Sequence, residues 1–151
     1  EITTRLVGSE MCIRDRKAGT NFVLSVGRLI GSQPELKGEQ RLRKEDIYWE
    51  MPRCYQWDIT VNLPESYRIS PEGLERLNVK VENDCGAFIV QATTEDGTLR
   101  IKAEKRINHK TEPVANWEKL LEITDAANSY EALSIVFQAT INPPTSPTTG
   151  Y

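Results

Sequence analysis

Three cysteines and a single histidine are the side chains of this chain with the widest chemical reach. Cys12 sits in "LVGSEMCIRDR" beside Arg14 and Arg16, and neighbouring cations lower a thiol pKa towards the reactive thiolate. A nucleophile also needs a base within reach and a group that orients the base. No such partner stands near Cys12. Any Cys/His or Ser/His/Asp mechanism must use His109, with Cys54, Cys85 or a serine brought to it by folding. His109 lies among Asn108, Lys110 and Glu112, where a charged strand runs into a helix. General-base work requires a positioned pocket partner, so His109 reads as an exposed surface histidine. Cys54 opens a strand on its outward parity and Cys85 occupies a hairpin turn. In an oxidising compartment these two could pair; the default is two unreactive thiols. The cysteine spacing fits no zinc pattern, and His109 has no further ligands at suitable spacing. The sequence therefore calls for no catalytic residue, no metal and no cofactor.

Other chemistries fare no better. The strand carboxylates Asp58, Glu82 and Glu104 fall on outward parity, whereas a glycosidase needs two carboxyl groups facing each other across a cleft. No glycine-rich phosphate loop is present. In "KGEQRLRKED" the bases Lys37, Arg41, Arg43 and Lys44 are interleaved with Glu39, Glu45 and Asp46, the pattern of a solvated face. Aromatic residues gather in "IYWEMPRCYQW". Tyr55 and Trp57 carry inward parity and belong to the core. Tyr48 and Trp49 are adjacent, and adjacent strand residues face opposite ways. One of that pair is exposed and forms the candidate ligand face, suited to a sugar or a peptide.

The elements that must position these residues are strands. "CYQWDITVNL" alternates Tyr55, Trp57, Ile59, Val61 and Leu63 with polar residues, giving one buried and one wet face. "LNVKVE" places Leu77, Val79 and Val81 inward, and "AFIVQA" places Phe88, Val90 and Ala92 together. "LRIKAEKRI" turns Leu99, Ile101, Ala103 and Ile107 inward, with Lys105 breaking the rule. "ALSIVF" closes with Leu133, Ile135 and Phe137. "NDCG" and the Asp96-Gly97 pair supply hairpin turns, while Pro64 and Pro71-Glu72-Gly73 mark a looser connection. Upstream, "FVLSVGRLIG" and "QRLRKEDIYWE" read as strands. One helix follows Pro113, a residue suited to a first turn. Val114, Trp117, Leu120, Leu121 and Thr124 recur at helical spacing. It is expected to run to about Asn128 and to lay Trp117 and Leu121 on the sheet. The fold class is mainly β: an antiparallel β-sandwich-like domain with one C-terminal helix packed on the sheet before the last strand. The domain is expected over 21–138, after a non-native or disordered segment 1–20 and before a disordered Pro/Thr-rich tail 139–151.

The chain has 151 residues and a net charge of −3. That length suffices for one real core, and no basic excess exists to neutralise a phosphate backbone, so no nucleic-acid partner is expected. No apolar run approaches the ~20 residues of a membrane span, and the start does not read as a signal peptide.

From Phe22 to about Gln138 the order of features resembles a known module. "FVLSVGRLIGSQPEL", "YWEMPRCYQWDITVNLPESYRIS", "LNVKVEN", a hairpin, a charged strand and "EPVANWEKLLEITDAANSYEALSIVFQ" are similar to the C-terminal β-domain of bacterial transglutaminase-like envelope proteins. "DITVNLPESYRI" resembles that family's strand ending in Leu-Pro-x-Gly-Tyr, with Ser66 where glycine is usual. The resemblance implies a non-catalytic accessory or interaction domain, since the Cys, His and Asp of those proteins belong to a preceding core. It implies two partners, the transglutaminase-like core and the N-terminal β-domain of the parent chain, and a place in the periplasm or cell envelope. "LVGSEMCIRDR" lies upstream of this match. It is similar to a peptide at the ends of unrelated metagenomic proteins that resembles translated sequencing-adapter DNA, which leaves Cys12 without an evolved role. The alternative reading is a module that binds envelope polysaccharide or peptide through its exposed aromatic residue.

Overall fold

The computed structural model describes residues 16–140. Cys12 and the tail from 141 onward lie outside the described residues. The strands run in order β1 (Arg16–Ala18), β2 (Asn21–Leu24), β3 (Ile47–Tyr48), β4 (Arg53–Asn62) and β5 (Tyr67–Ile69). Helix α1 (Pro71–Arg76) then precedes β6 (Val79–Asn83), β7 (Gly86–Glu95), β8 (Thr98–Ile107) and β9 (Thr111–Glu112). Helix α2 (Trp117–Glu131) comes before the last strand, β10 (Ile135–Ala139). The fold is mainly antiparallel β and sandwich-like, with the helix where the periodicity placed it.

Alternation builds the larger sheet, whose order is β4-β8-β7-β6. Its register sets Tyr55 opposite Lys105, Trp57 opposite Ala103 and Val61 opposite Leu99; Phe88 lies opposite Lys105 on the far side and Val81 opposite Phe88. One face therefore carries Val79, Val81, Phe88, Val90, Leu99, Ile101 and Ala103, and α2 packs on its β6–β7 half. Burial of Phe88, Leu77, Leu99, Ile101, Ile123 and Val26 forms the core; each such side chain contributes about 1.5–3 kcal/mol. The hairpin from β7 to β8 turns at Asp96 and Gly97, both at positive φ (49° and 74°), as a tight two-residue turn demands. A second sheet, β1-β2-β10-β5, adds Leu24, Ile135 and Phe137 to the core. β3 and β9 form a two-stranded ribbon between them in sequence.

Several local expectations are corrected. "FVLSVGRLIG" is strand only to Leu24; from Val26 to Ile30 it is a 3-10 helix, because Gly27 packs against the carbonyls that end α2. "QRLRKEDIYWE" yields a 3-10 turn (Gly38–Arg41) and a two-residue strand, its charges holding it on the surface. Arg41 forms a bidentate pair with Asp125 (2.8 and 2.7 Å), and Trp117 Nε1 donates to the Arg41 carbonyl at 2.9 Å. Trp117 thus bridges this strap and the margin of the core; the buried residues of α2 are Leu120, Leu121, Ile123, Ala127 and Tyr130. The looser connection at Pro71 contains α1, capped by Ser70 Oγ accepting from Gly73 N–H at 3.0 Å. α2 continues to Glu131, past Asn128. Tyr55 shares parity with Trp57 yet is 40% exposed, since β4 is the outermost strand of its sheet. Lys105 keeps the inward parity, its cation accommodated by Gln33 Oε1 at 3.1 Å. β1 lies ahead of Asn21 and pairs with β2, Lys17 opposite Phe22.

Two substitutions test this packing. A methyl at Gly27 would run into the Tyr130 and Glu131 carbonyls, so Gly27→Ala is expected to lower the unfolding free energy by about 2–3 kcal/mol, read from denaturant midpoints. A variant as stable as the parent would refute the tight approach. The Tyr130 hydroxyl is buried without a hydrogen-bond partner among the described residues, and burial pushes its pKa up to about 12. Tyr130→Phe removes an uncompensated polar group and should leave stability unchanged or raise it by up to about 1 kcal/mol; a loss larger than that in the same titration would show a missed partner.

Candidate functional site

Folding brings Cys85 and His109 to one place, and a carboxylate joins them. The β6–β7 turn is shaped by Asn83, whose Oδ1 accepts from the Cys85 N–H at 2.9 Å, a side chain mimicking a backbone turn. Asn83 Nδ2 donates to the Lys119 carbonyl at 2.9 Å, tying the turn to the first turn of α2. Cys85 is thereby driven fully inside. Its carbonyl accepts from Asn108 N–H at 2.9 Å, which fixes the chain as it leaves β8. The β3–β9 ribbon then sets Glu112 opposite the buried Ile47. Trp49 N–H donates to the Lys110 carbonyl at 2.8 Å and prolongs that ribbon. Asp46 Oδ1 accepts from Val114 N–H at 2.9 Å, anchoring the turn that enters α2.

Glu112 is the one buried charged side chain among the described residues, at 3% exposure. Its Oε1 lies 2.5 Å from His109 Nδ1 and its Oε2 accepts from Asn116 Nδ2 at 2.8 Å; the buried Cys85 thiol stands beside it. Burial alone pushes the Glu112 carboxyl up. The hydrogen bonds from Asn116, His109 and Cys85, with the His109 charge, outweigh it and hold the group below the ordinary range. Cys85 responds the opposite way. Burial, the Glu112 charge and the bond to Glu112 push its thiol up, against a small opposing pull from Lys119. The thiol is a protonated donor, sealed from solvent, facing an anion. That is the reverse of the electropositive, accessible setting a nucleophilic cysteine needs. His109 itself is exposed, with 58% of its side chain in solvent, as its sequence surroundings imply, and its ring is anchored at one nitrogen. The cluster holds a turn, a loop and a helix start together.

Glu112 and Asn116 were not legible as members of this site. A carboxylate three positions after the sole histidine is a faint signal, and only the burial of Ile47 opposite reveals its direction. The two candidate ligand-face residues part company. Tyr48 is 64% exposed, with Lys110 Nζ 5.3 Å from its ring centre, whereas Trp49 packs against the core. Tyr55 stacks on Trp57 with ring centres 6.0 Å apart and planes inclined by 21°. Beside Tyr55 lies a groove of about 720 Å³, walled by the stretch from Glu50 to Tyr55 and by Arg106, Ile107 and Asn108. Cys54 and Cys85 are not joined by a disulfide. Among the described residues no group of three or more His, Cys, Asp or Glu is placed to hold a metal ion. No described helix is long and apolar enough to cross a membrane.

Residues 26–137 match a protein family described as a domain of unknown function with a solved structure, DUF3858. No curated protein and no solved structure matches the chain.

The titration of Glu112 gives a measurable consequence. A carboxylate whose folded pKa is depressed stabilises the fold above its unfolded value, 4.5, and that stabilisation is lost as pH falls through the folded value. Glu112→Gln should therefore cost about 1–3 kcal/mol near neutral pH. The gap to the parent should close on acidification below 4.5. Thermal melts across that range decide it: a constant gap would mean that the carboxylate charge is not what the network holds.

Proposed function

The chain belongs to the DUF3858 family, and we propose that it is a non-catalytic accessory module, a C-terminal piece of a transglutaminase-like envelope protein that packs on its catalytic core. One observation carries the reading. The place where a thiol, a carboxylate and an imidazole converge is closed, its thiol buried and raised in pKa and its carboxylate fully hydrogen-bonded. A substrate carbonyl has no approach to that sulfur, and the neighbouring anion opposes the thiolate that attack requires. The order of strands and turns from Phe22 to Gln138, with "DITVNLPESYRI" at its centre, supports the parent assignment. On this reading its partners are the transglutaminase-like core and the N-terminal β-domain, and its compartment is the periplasm or cell envelope.

The uninterrupted gene is the test. It should encode a Cys/His/Asp core upstream of Asn21, and deleting this domain from the full-length product should lower the core's melting temperature by several degrees. Cys85→Ala in the full-length protein should leave turnover within about twofold, because the thiol touches no substrate. Turnover by the domain alone that disappears in a folded Cys85→Ala variant would defeat the proposal, as would an upstream sequence without such a core.

A further inference from the structure

Some of the cations among the described residues have anions. Arg41 is paired with Asp125, and Arg106 with Glu104 and Glu82. Two cations on one face of the larger sheet do not. Lys105 is half-buried, and its one polar contact is with the neutral Gln33 side chain. Arg53 has neither an ion pair nor a side-chain hydrogen bond with any described residue. The register makes them neighbours: Arg53 lies opposite Ile107 and Tyr55 opposite Lys105. Arg53, Tyr55, Lys105 and Ile107 therefore share one patch of that face. Burial pushes the Lys105 amine down, the mark of a cation that lacks a compensating charge.

The patch opens onto the 720 Å³ groove, whose walls include Met51, Pro52, Tyr55 and Ile107. That volume suits a small molecule. The Tyr55 ring is held by its stack on Trp57 and stays 40% exposed. Glu50 stands on the same wall and has no cation or donor of its own. An unpaired guanidinium, a fixed aromatic ring and an unpaired carboxylate ask for a ligand with one anionic group, an apolar ring face and several hydroxyl donors. We propose that this groove binds a carboxylate-bearing sugar, Arg53 taking the carboxylate, Tyr55 the ring face and Glu50 a hydroxyl. Arg53 is suited to that role because its planar fork matches a carboxylate at two points. Lys105, behind Tyr55, adds positive potential without entering the groove wall. A purely acidic peptide would satisfy Arg53 but bring neither a ring face for Tyr55 nor a hydroxyl for Glu50. The site is separate from the Glu112 cluster and does not depend on the accessory role.

The test is an amide NMR titration of the whole chain with oligogalacturonate, with a neutral oligosaccharide of equal length, and with an Asp/Glu-rich peptide. Oligogalacturonate alone should shift Met51, Arg53, Tyr55 and Ile107 saturably, more weakly at higher salt. Arg53→Gln and Tyr55→Ala should each raise the dissociation constant by about tenfold or more. Lys105→Met should raise it a few-fold, and Tyr55→Phe should retain binding. The amide spectrum of each variant verifies its fold. Four results would overturn the proposal: no saturable shift with oligogalacturonate up to about 10 mM, shifts centred elsewhere, equal affinity for the neutral oligosaccharide, or preference for the peptide.

Discussion

A carboxylate removed from water must be surrounded by donors or give up its charge, and around Glu112 that requirement organises the whole end of the domain. Its neighbours come from three elements: the Cys85 thiol from the β6–β7 turn, and the hydrogen-bonding partners His109 from the link after β8 and Asn116 from the turn that starts α2. His109 and Asn116 lie three and four positions from Glu112, while Cys85 reaches it from a distant turn. Satisfying the anion therefore fixes where the helix begins relative to the sheet. From that starting point the stripe Leu120, Ile123, Ala127 and Tyr130 falls on β6 and β7. Had the helix entered one residue earlier or later, the stripe would rotate by about a quarter turn and expose half of itself.

The opposite end of α2 is fixed by a different constraint, close approach of backbones. Gly27 meets the last carbonyls of the helix, and its N–H donates to the Leu133 carbonyl at 3.0 Å. Between these two fixed ends the core is apolar and needs no direction of its own. The Tyr130 hydroxyl, buried without a partner among the described residues, shows how little polar guidance exists there. Its ring meets Phe88 edge-on, with centroids 5.8 Å apart, and the favourable geometry of that contact offsets the unsatisfied group.

Much of this was legible in the sequence, and the division follows sequence distance. Period two in "CYQWDITVNL" and "LRIKAEKRI" specified both strands and their inward faces, because alternation is a property of neighbours. Asp96-Gly97 specified its turn for the same reason. Tyr48 and Trp49 had to face opposite ways, and they do. What failed depended on partners far along the chain. Trp117 fits the helical stripe by spacing and packs at the margin of the core, but its contacts with Arg41 and Arg43, more than seventy positions away, could not be read from that spacing. Tyr55 has inward parity, yet its burial depends on whether another strand lies beyond β4. Val26 to Ile30 are apolar enough for a strand and become a 3-10 turn because α2 ends there. The Ser70-Pro71 cap of α1 was readable and was outweighed by its proline and glycine.

The histidine makes the same point about sites. His109, Cys85 and a carboxylate do converge, so a list of residue types would name a catalytic centre. Burial and charge reverse that reading, since the thiol is buried beside an anion that raises its pKa and the imidazole holds the acid from outside. A nucleophile must be the group that loses its proton to a base and keeps open space before it; Cys85 has neither. Among the charges without an ion-pair partner, Arg53, Lys105 and Glu50 are set apart by the groove beside them. Polar groups that complete one another hold a fold together, and those left incomplete at a groove are where a ligand gains most by binding.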